Sequence, residues 1–237
     1  MDGHFKIKRH ASTILFYVSM VFLAVLGFTA LAAPKIVPHS PIEQNLSERF
    51  LPPAPTHFLG TDNLGRDVFS RVIYGSRSAL VVGIVAVAIS AILGTIVGLI
   101  AALSGKMTDN ILMLLMDSLL SFPTILLAIT VVSFLGYGLL QVMLAIGVIF
   151  SPVFARLVRA ETLVIKTEGY VEASRALGSP IFKIVVKHIL PNLLGKLIVQ
   201  CSITFALTVV IEASLSYLGL GTQPPTPSWG LMLKDAR

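Results

Sequence analysis

Two carboxylates stand where the chain is otherwise apolar. Asp117 interrupts the run 111–134, and Glu212 lies in the run 193–220. An ionisable group at membrane depth is costly and marks a functional position by default. It can carry a proton, answer a cation or pair with a basic residue. Glu212 has company, because Gln200, Thr204, Thr208, Glu212 and Ser216 recur every four residues. At 3.6 residues per turn each step drifts about 40°, so this polar line winds slowly round its helix. Such a line either borders a water-filled translocation path or supplies hydrogen bonds between helices. Asp117 lies close to a helix end, where the plainer role is an ion pair with a basic residue such as Arg156 or Arg175.

Other chemistry is excluded by residue type. Residues 60–67, GTDNLGRD, have the glycine spacing of a phosphate-binding loop. They lack the Lys-Ser or Lys-Thr that such a loop requires, and Asp67 repels a phosphate. The better reading is a turn-rich segment in which Asp62, Arg66, Asp67 and Arg71 form surface ion pairs, each worth about 0–1 kcal/mol. His4, His10, His39, His57 and His188 are scattered without neighbouring acidic or cysteine ligands, so no metal site is expected. There is no HExxH, GxSxG or CxxC, and no catalytic residue is assigned. Cys201 is the single cysteine, so no disulfide forms within the chain.

The elements that must position these residues are long helices. Of 237 residues 55% are hydrophobic and 13% charged, about half the charge of a soluble domain. Apolar runs at 14–33, 79–103, 111–134, 139–158 and 193–220 are long enough to cross a bilayer as helices and too long for barrel strands. Pro123 and Pro152 suggest kinks. Ala86, Ser90, Gly94, Gly98 and Ala102 make a small-residue stripe for close packing within the chain. The Ala30-Leu31-Ala32 sequence after the first run mimics a signal-peptidase site, but the run exceeds a signal-peptide core, so a retained helix is expected. With the N-terminus inside, eleven of the eighteen Lys and Arg fall in inside segments, which favours that orientation. Residues 1–13 are then cytoplasmic, 34–78 and 221–237 external, and 79–220 a transmembrane core. The net charge of +6 reflects this loop bias rather than nucleic-acid binding.

One charged insert, within 159–191, breaks the pattern. Its centre reads YVEASRALGSPIFKIVVKHILP at 170–191. Thr167 is read as the cap of a short helix over 168–177, stopped by Gly178. Ser179 and Pro180 start a second helix over 180–190, which Pro191 ends. Ile181, Ile184, Val185 and Ile189 fall on one side, Lys183 and Lys187 on the other. The result is a compact knob with a glycine elbow. Its slim face, Ala173, Ser174 and Ala176, suits a groove on a partner protein, but its amphipathic side suits a lipid surface, and the residues alone favour the latter.

The pattern Glu172-Ala173-Ser174, three residues, Gly178 and the Leu190-Pro191 close resembles the "EAA" loop of ABC-importer permease subunits. Two further stretches resemble the peptide/nickel branch: FLGTDNLGRDVFSRVIYGSR at 58–77 and EASLSYLGLGTQPPTPSWG at 212–230. The resemblance implies an all-α, type I importer permease with six spans, of which five are seen before Arg237. It implies that Glu172, Ala173, Ser174 and Gly178 dock on an ATPase, with Arg175, Leu190 and Pro191 supporting them. It further implies ABC ATPase subunits, a second homologous permease subunit, an external substrate-binding protein and the cytoplasmic membrane of a prokaryote. The cargo is a peptide, nickel or a metal chelate, and this chain binds no cofactor, the ATP being used by the partner. The rival class is an ion-coupled secondary transporter or channel using Asp117 and Glu212.

Overall fold

The computed structural model describes residues 2–236, with only the backbone described for residues 2–16 and Phe22. Arg237 and the side chains of Lys6, Lys8, Arg9, His4 and His10, used above, lie outside the described residues. The element order is α1 (Asp2–Ile36), a 3-10 turn (Leu46–Glu48), α2 (Val68–Leu103), α3 (Lys106–Leu120), α4 (Thr124–Leu135), α5 (Leu139–Ile165), α6 (Gly169–Ala176), α7 (Ile181–Ile184), a π-helical turn (Val185–Ile189), α8 (Leu190–Tyr217) and α9 (Trp229–Asp235). Among the described residues the nearest approach to a sheet is one isolated bridge between Thr61 and Asp67. The fold is all-α, as expected.

Four helical stretches are long and apolar enough to cross a membrane: Tyr17–Ile36, Val68–Leu103, Leu139–Ile165 and Ile181–Tyr217. A fifth crossing exists if α3 and α4 act as one span, but they meet at a bend of 97°. The single span expected over 111–134 is thus corrected to a broken pair. Pro123 is the residue before α4, and a proline there disfavours helical backbone in its predecessor and donates no hydrogen bond. Pro152, by contrast, lies inside α5 without ending it.

The chain forms two compact units. Unit 1 comprises residues 1–80 and 224–237, unit 2 residues 81–223. In unit 1, the loop between α1 and α2 is folded by its own polar groups. Asp62 accepts from the backbone N–H of Leu64 and Arg66 and from Arg66 Nε. Gly65, at φ +72°, passes so close to the Asn45 carbonyl that no side chain fits. Arg66 and Arg71 are 2% and 1% exposed, so the ion pairs expected at the surface are buried. Arg66 reaches both Asp62 and Asp235, and Arg71 donates to the Pro41 carbonyl. The α9 end joins the same framework through Ser78 donating to the Pro227 carbonyl.

In unit 2, α5 is the central helix. Its Ile146, Ile149 and Phe150 pack with Val82 of α2, Val132 of α4 and Leu215 of α8. The small-residue stripe makes close contact possible. A Cβ at Gly94 would stand 2.5 Å from the Ser151 carbonyl, and one at Gly98 2.5 Å from the Ala155 carbonyl. Ser90 Oγ donates across to Gly147 O at 2.9 Å. Many large apolar side chains on other faces stay exposed, Ile84, Leu114, Leu126 and Val199 among them, as lipid-facing surfaces require.

Candidate functional site

The knob is built from α6, α7 and the π turn. Glu168, rather than Thr167, caps α6, and no side chain bonds to the helix end. The Thr167 hydroxyl instead donates back to Val164 O. The far end matches expectation: Gly178 has φ +79°, its N–H bonds Arg175 O at 2.9 Å, and Ser179 N–H bonds Ser174 O at 3.1 Å. That is a Schellman stop, which a residue without Cβ makes cheaply. Pro180 caps α7 in place of Ser179.

The second insert helix does not end at Pro191. Proline in an α-helix clashes with the carbonyl four residues back. Here the five residues before Leu190 form a π turn, whose wider ring relieves that clash, and Pro191 sits in the first turn of α8. Asn192 Nδ2 donates to His188 O at 2.6 Å and to Tyr170 OH at 3.2 Å, tying the turn to α6. The knob therefore continues into α8 without a loop.

One side of the knob is buried. Val171, Ile184 and Ile189 pack with Val158 and Ile165 of α5 and Leu193 of α8. The opposite side is open: Glu172, Ala173, Arg175 and Gly178 are exposed, with Leu177 87% and Phe182 75% exposed. Ser174 is half-buried, and Ile181, expected on the apolar face, is exposed. Leu190 is half-buried and Pro191 exposed at the start of α8. Ion pairs brace the helices beside it. Arg159 of α5 binds Asp109 of α3 with two nitrogens, Lys196 of α8 meets Glu161 of α5, and Lys166 Nζ donates to Ala102 O at 3.0 Å. None of these partners was paired in the sequence reading. Their signal was charge at the ends of apolar runs, which places a residue but not its mate.

Asp117 pairs with Arg156, whose Nε and Nη2 lie 3.0 and 2.6 Å from one carboxylate oxygen, and both side chains are about half exposed. The line on α8 is internal. Thr204, Thr208, Glu212 and Ser216 are buried at 1% exposure or less, and Gln200 is half-buried. Gln200 donates to Thr204, and Ser216 donates to Glu212 at 2.7 Å. The Ser216 hydroxyl also accepts Thr222 N–H at 3.1 Å, and Gly221 leaves it room. Thr208 Oγ1 has no partner among the described residues.

In unit 1 the histidines are not all scattered. His57 Nδ1 lies 2.9 Å from Asp67 Oδ1, His39 Nδ1 lies 4.0 Å from the same oxygen, and the two rings stack at 4.6 Å. The expectation that no acidic ligand neighbours a histidine is corrected for this pair. The loop between α1 and α2 folds back on the start of α2, a tertiary event with no local sequence signal. Burial pushes the Asp67 carboxyl up, but hydrogen bonds from Ser70 and His57 and the nearby His39 outweigh it, leaving the group below the usual carboxylate range.

Comparison with known proteins decides the lineage. A family described as "binding-protein-dependent transport system inner membrane component" matches residues 94–236, and one described as "N-terminal TM domain of oligopeptide transport permease C" matches residues 14–53. The chain belongs to the binding-protein-dependent transport permeases. It is 40% identical to a putative peptide transport system permease protein of Brucella abortus over 232 residues, 98% of this chain and 77% of that protein. It is 44% identical to the glutathione transport system permease protein GsiD of Pectobacterium atrosepticum, over 78% of this chain and 62% of that protein. Among solved structures, an inward-facing form of the MetNI methionine ABC transporter aligns with a TM-score of 0.57 at 26% identity, covering 64% of this chain and 76% of that one. This permease is thus a membrane subunit of an ABC importer. Its knob, carrying Glu172 to Gly178, falls inside the stretch matched by the family.

Proposed function

We propose that this permease moves peptides or peptide-like molecules inward across the cytoplasmic membrane by alternating access, driven by separate ATPase subunits that dock on the knob. The observation that carries the reading is the knob's two-sidedness. Val171, Ile184 and Ile189 anchor it to α5 and α8, while Glu172, Ala173, Arg175 and Leu177 face outward. An anchored element with an open face suits a partner groove better than a lipid surface, because its exposed rim mixes Glu172, Arg175 and Lys183 with the apolar Leu177. ATP hydrolysis belongs to the partner, and this chain does no covalent chemistry. An external substrate-binding protein and a second permease subunit complete the proposed assembly. The N-terminus and the knob are proposed to lie on the cytoplasmic side, and residues 34–78 outside.

The peptide cargo rests on the relatives named above; nickel or a metal chelate, left open by the sequence, is named for neither. The ion-coupled alternative loses ground. Asp117 is held by Arg156, and Glu212 is hydrogen-bonded inside unit 2. Burial of the α8 line supports internal hydrogen bonding over the path reading, since a path requires open surface.

The deciding experiment is mild detergent extraction of the tagged chain from its own membranes, beside a Glu172→Lys, Gly178→Pro double variant. An ATPase that accompanies the wild type and is lost with the folded variant supports the reading. Equal recovery of the ATPase with both sinks the assignment of docking to the knob.

A further inference from the structure

The convergence of two imidazoles on one oxygen of Asp67 is more than helix capping requires. Asp67 precedes α2, and its Oδ2 accepts Ser70 N–H at 2.8 Å, which already supplies the cap bond at that helix end. Its Oδ1 lies 2.9 Å from His57 Nδ1 and 4.0 Å from His39 Nδ1. One donor atom from each of the three residues lies within 4.8 Å of the others. We propose that His39, His57 and Asp67 bind a divalent transition-metal ion. This inference does not rest on the proposed cargo or on the docking of an ATPase.

The geometry suits a small ion. Around a tetrahedral zinc with bonds of about 2.1 Å, neighbouring donors stand roughly 3.4 Å apart. The two observed distances to Asp67 bracket that value. His39 is the donor that must close in, and its side chain is 43% exposed, with room to turn. His57 and Asp67 are buried and fixed. The nitrogen, nitrogen, oxygen set favours borderline ions such as Zn²⁺, Co²⁺ or Ni²⁺ over Mg²⁺ or Ca²⁺.

The surroundings are those of a supported ligand set. Glu48 Oε2 stands 3.8 Å from His57 Nε2, so a carboxylate faces the ring nitrogen that a metal bound at Nδ1 leaves free. The Ser70 hydroxyl accepts the His39 backbone N–H at 3.3 Å, and Ser70 N–H holds Asp67 from the same turn. Three protein ligands leave one position for water or an incoming group, the pattern of an open site rather than a closed structural one. The half-exposed His39 ring is the entry side.

The test uses the full chain, purified in detergent through a tag without histidine, and Co²⁺ alone as probe. Expected is saturable binding of one Co²⁺ per chain with visible ligand-field bands, displaced by Zn²⁺. His39→Ala leaves the buried framework in place and should weaken Co²⁺ binding by more than tenfold, a larger effect than the roughly tenfold loss expected for Glu48→Gln. His188→Ala should bind like the wild type. Circular dichroism and thermal melting without metal establish that each variant is folded. The proposal is overturned if the wild type gives no saturable ligand-field spectrum, or if folded His39→Ala binds Co²⁺ as tightly as wild type. It is equally overturned if His188→Ala abolishes the spectrum while His39→Ala keeps it.

Discussion

The indole nitrogen of Trp229 donates to the backbone carbonyl of Val72 at 3.0 Å, joining positions 157 residues apart. The stretch 58–77 and the end of the stretch 212–230, both of which carried the family resemblance, thus meet in unit 1. Replacing Trp229 with Phe keeps much of the ring contact and removes the donor. The expected loss is about 0.5–1.5 kcal/mol of stability, the worth of one hydrogen bond, read as a lower melting temperature of the purified chain.

The glycines of α2 give a sharper contrast. Gly94→Ala and Gly98→Ala place a methyl against carbonyls of α5 that cannot move aside. Each should cost about 1–3 kcal/mol through forced separation of the helices. Gly195→Ala on α8 meets nothing within 4 Å and should be neutral or stabilising by up to about 1 kcal/mol. Thermal unfolding of the three variants side by side checks the ranking.

At the elbow, the demand is conformational rather than steric. Gly178 has open space around it but a φ of +79°. Asn, which tolerates that region, should be accepted at 178, whereas Val should cost about 1–2 kcal/mol and loosen the Schellman stop. Recovery of the ATPase with each variant, and hydrogen exchange at Ser179 N–H, read the two consequences.

Asp117 separates the two transport classes. Its partner Arg156 is half exposed, so the pair contributes at most about 1 kcal/mol. Asp117→Asn is expected to leave ATP-driven uptake within about twofold of wild type in reconstituted vesicles, a change worth under 1 kcal/mol. Abolished uptake with intact folding would return the ion-coupled reading.

Thr208 tests the internal role of the polar line. Its buried hydroxyl has no partner among the described residues, so Thr208→Val removes an unsatisfied group and should be neutral or mildly stabilising. Uptake should follow stability. A drop in uptake at unchanged stability would show that cargo or water reaches this position.

Much of the fold was legible because lipid demands long apolar runs, and such runs are visible in composition alone. Gly178 was legible because few other residues suit a left-handed stop. Tertiary partners were legible only in part. Asp117 was narrowed to Arg156 or Arg175, and Arg156, 39 residues away, is the one it meets; Asp109 and Arg159, 50 residues apart, were not paired. Either acid has several basic residues within reach until α3, α4 and α5 are placed. At Pro123 a kink was expected but not a full break, since a proline permits either and packing chooses between them. Pro191 misled in the opposite sense, because a π turn absorbs the clash that normally ends a helix. His39, His57 and Asp67 belong to a loop whose course depends on Gly60 and Gly65 passing close to backbone carbonyls, and no periodicity records that.

The π turn at Val185–Ile189 has a mechanical consequence. Because it joins α7 to α8 without slack, the knob and the helix act as a crank and its shaft. Twenty-eight residues of α8 measure about 42 Å at 1.5 Å per residue. Were the shaft to pivot rigidly at the knob by about ten degrees, its far end, where Glu212 and Ser216 lie, would sweep roughly 7 Å, more than one helical turn of about 5.4 Å. A small torque at Glu172 would then be geared up at the other end of the helix.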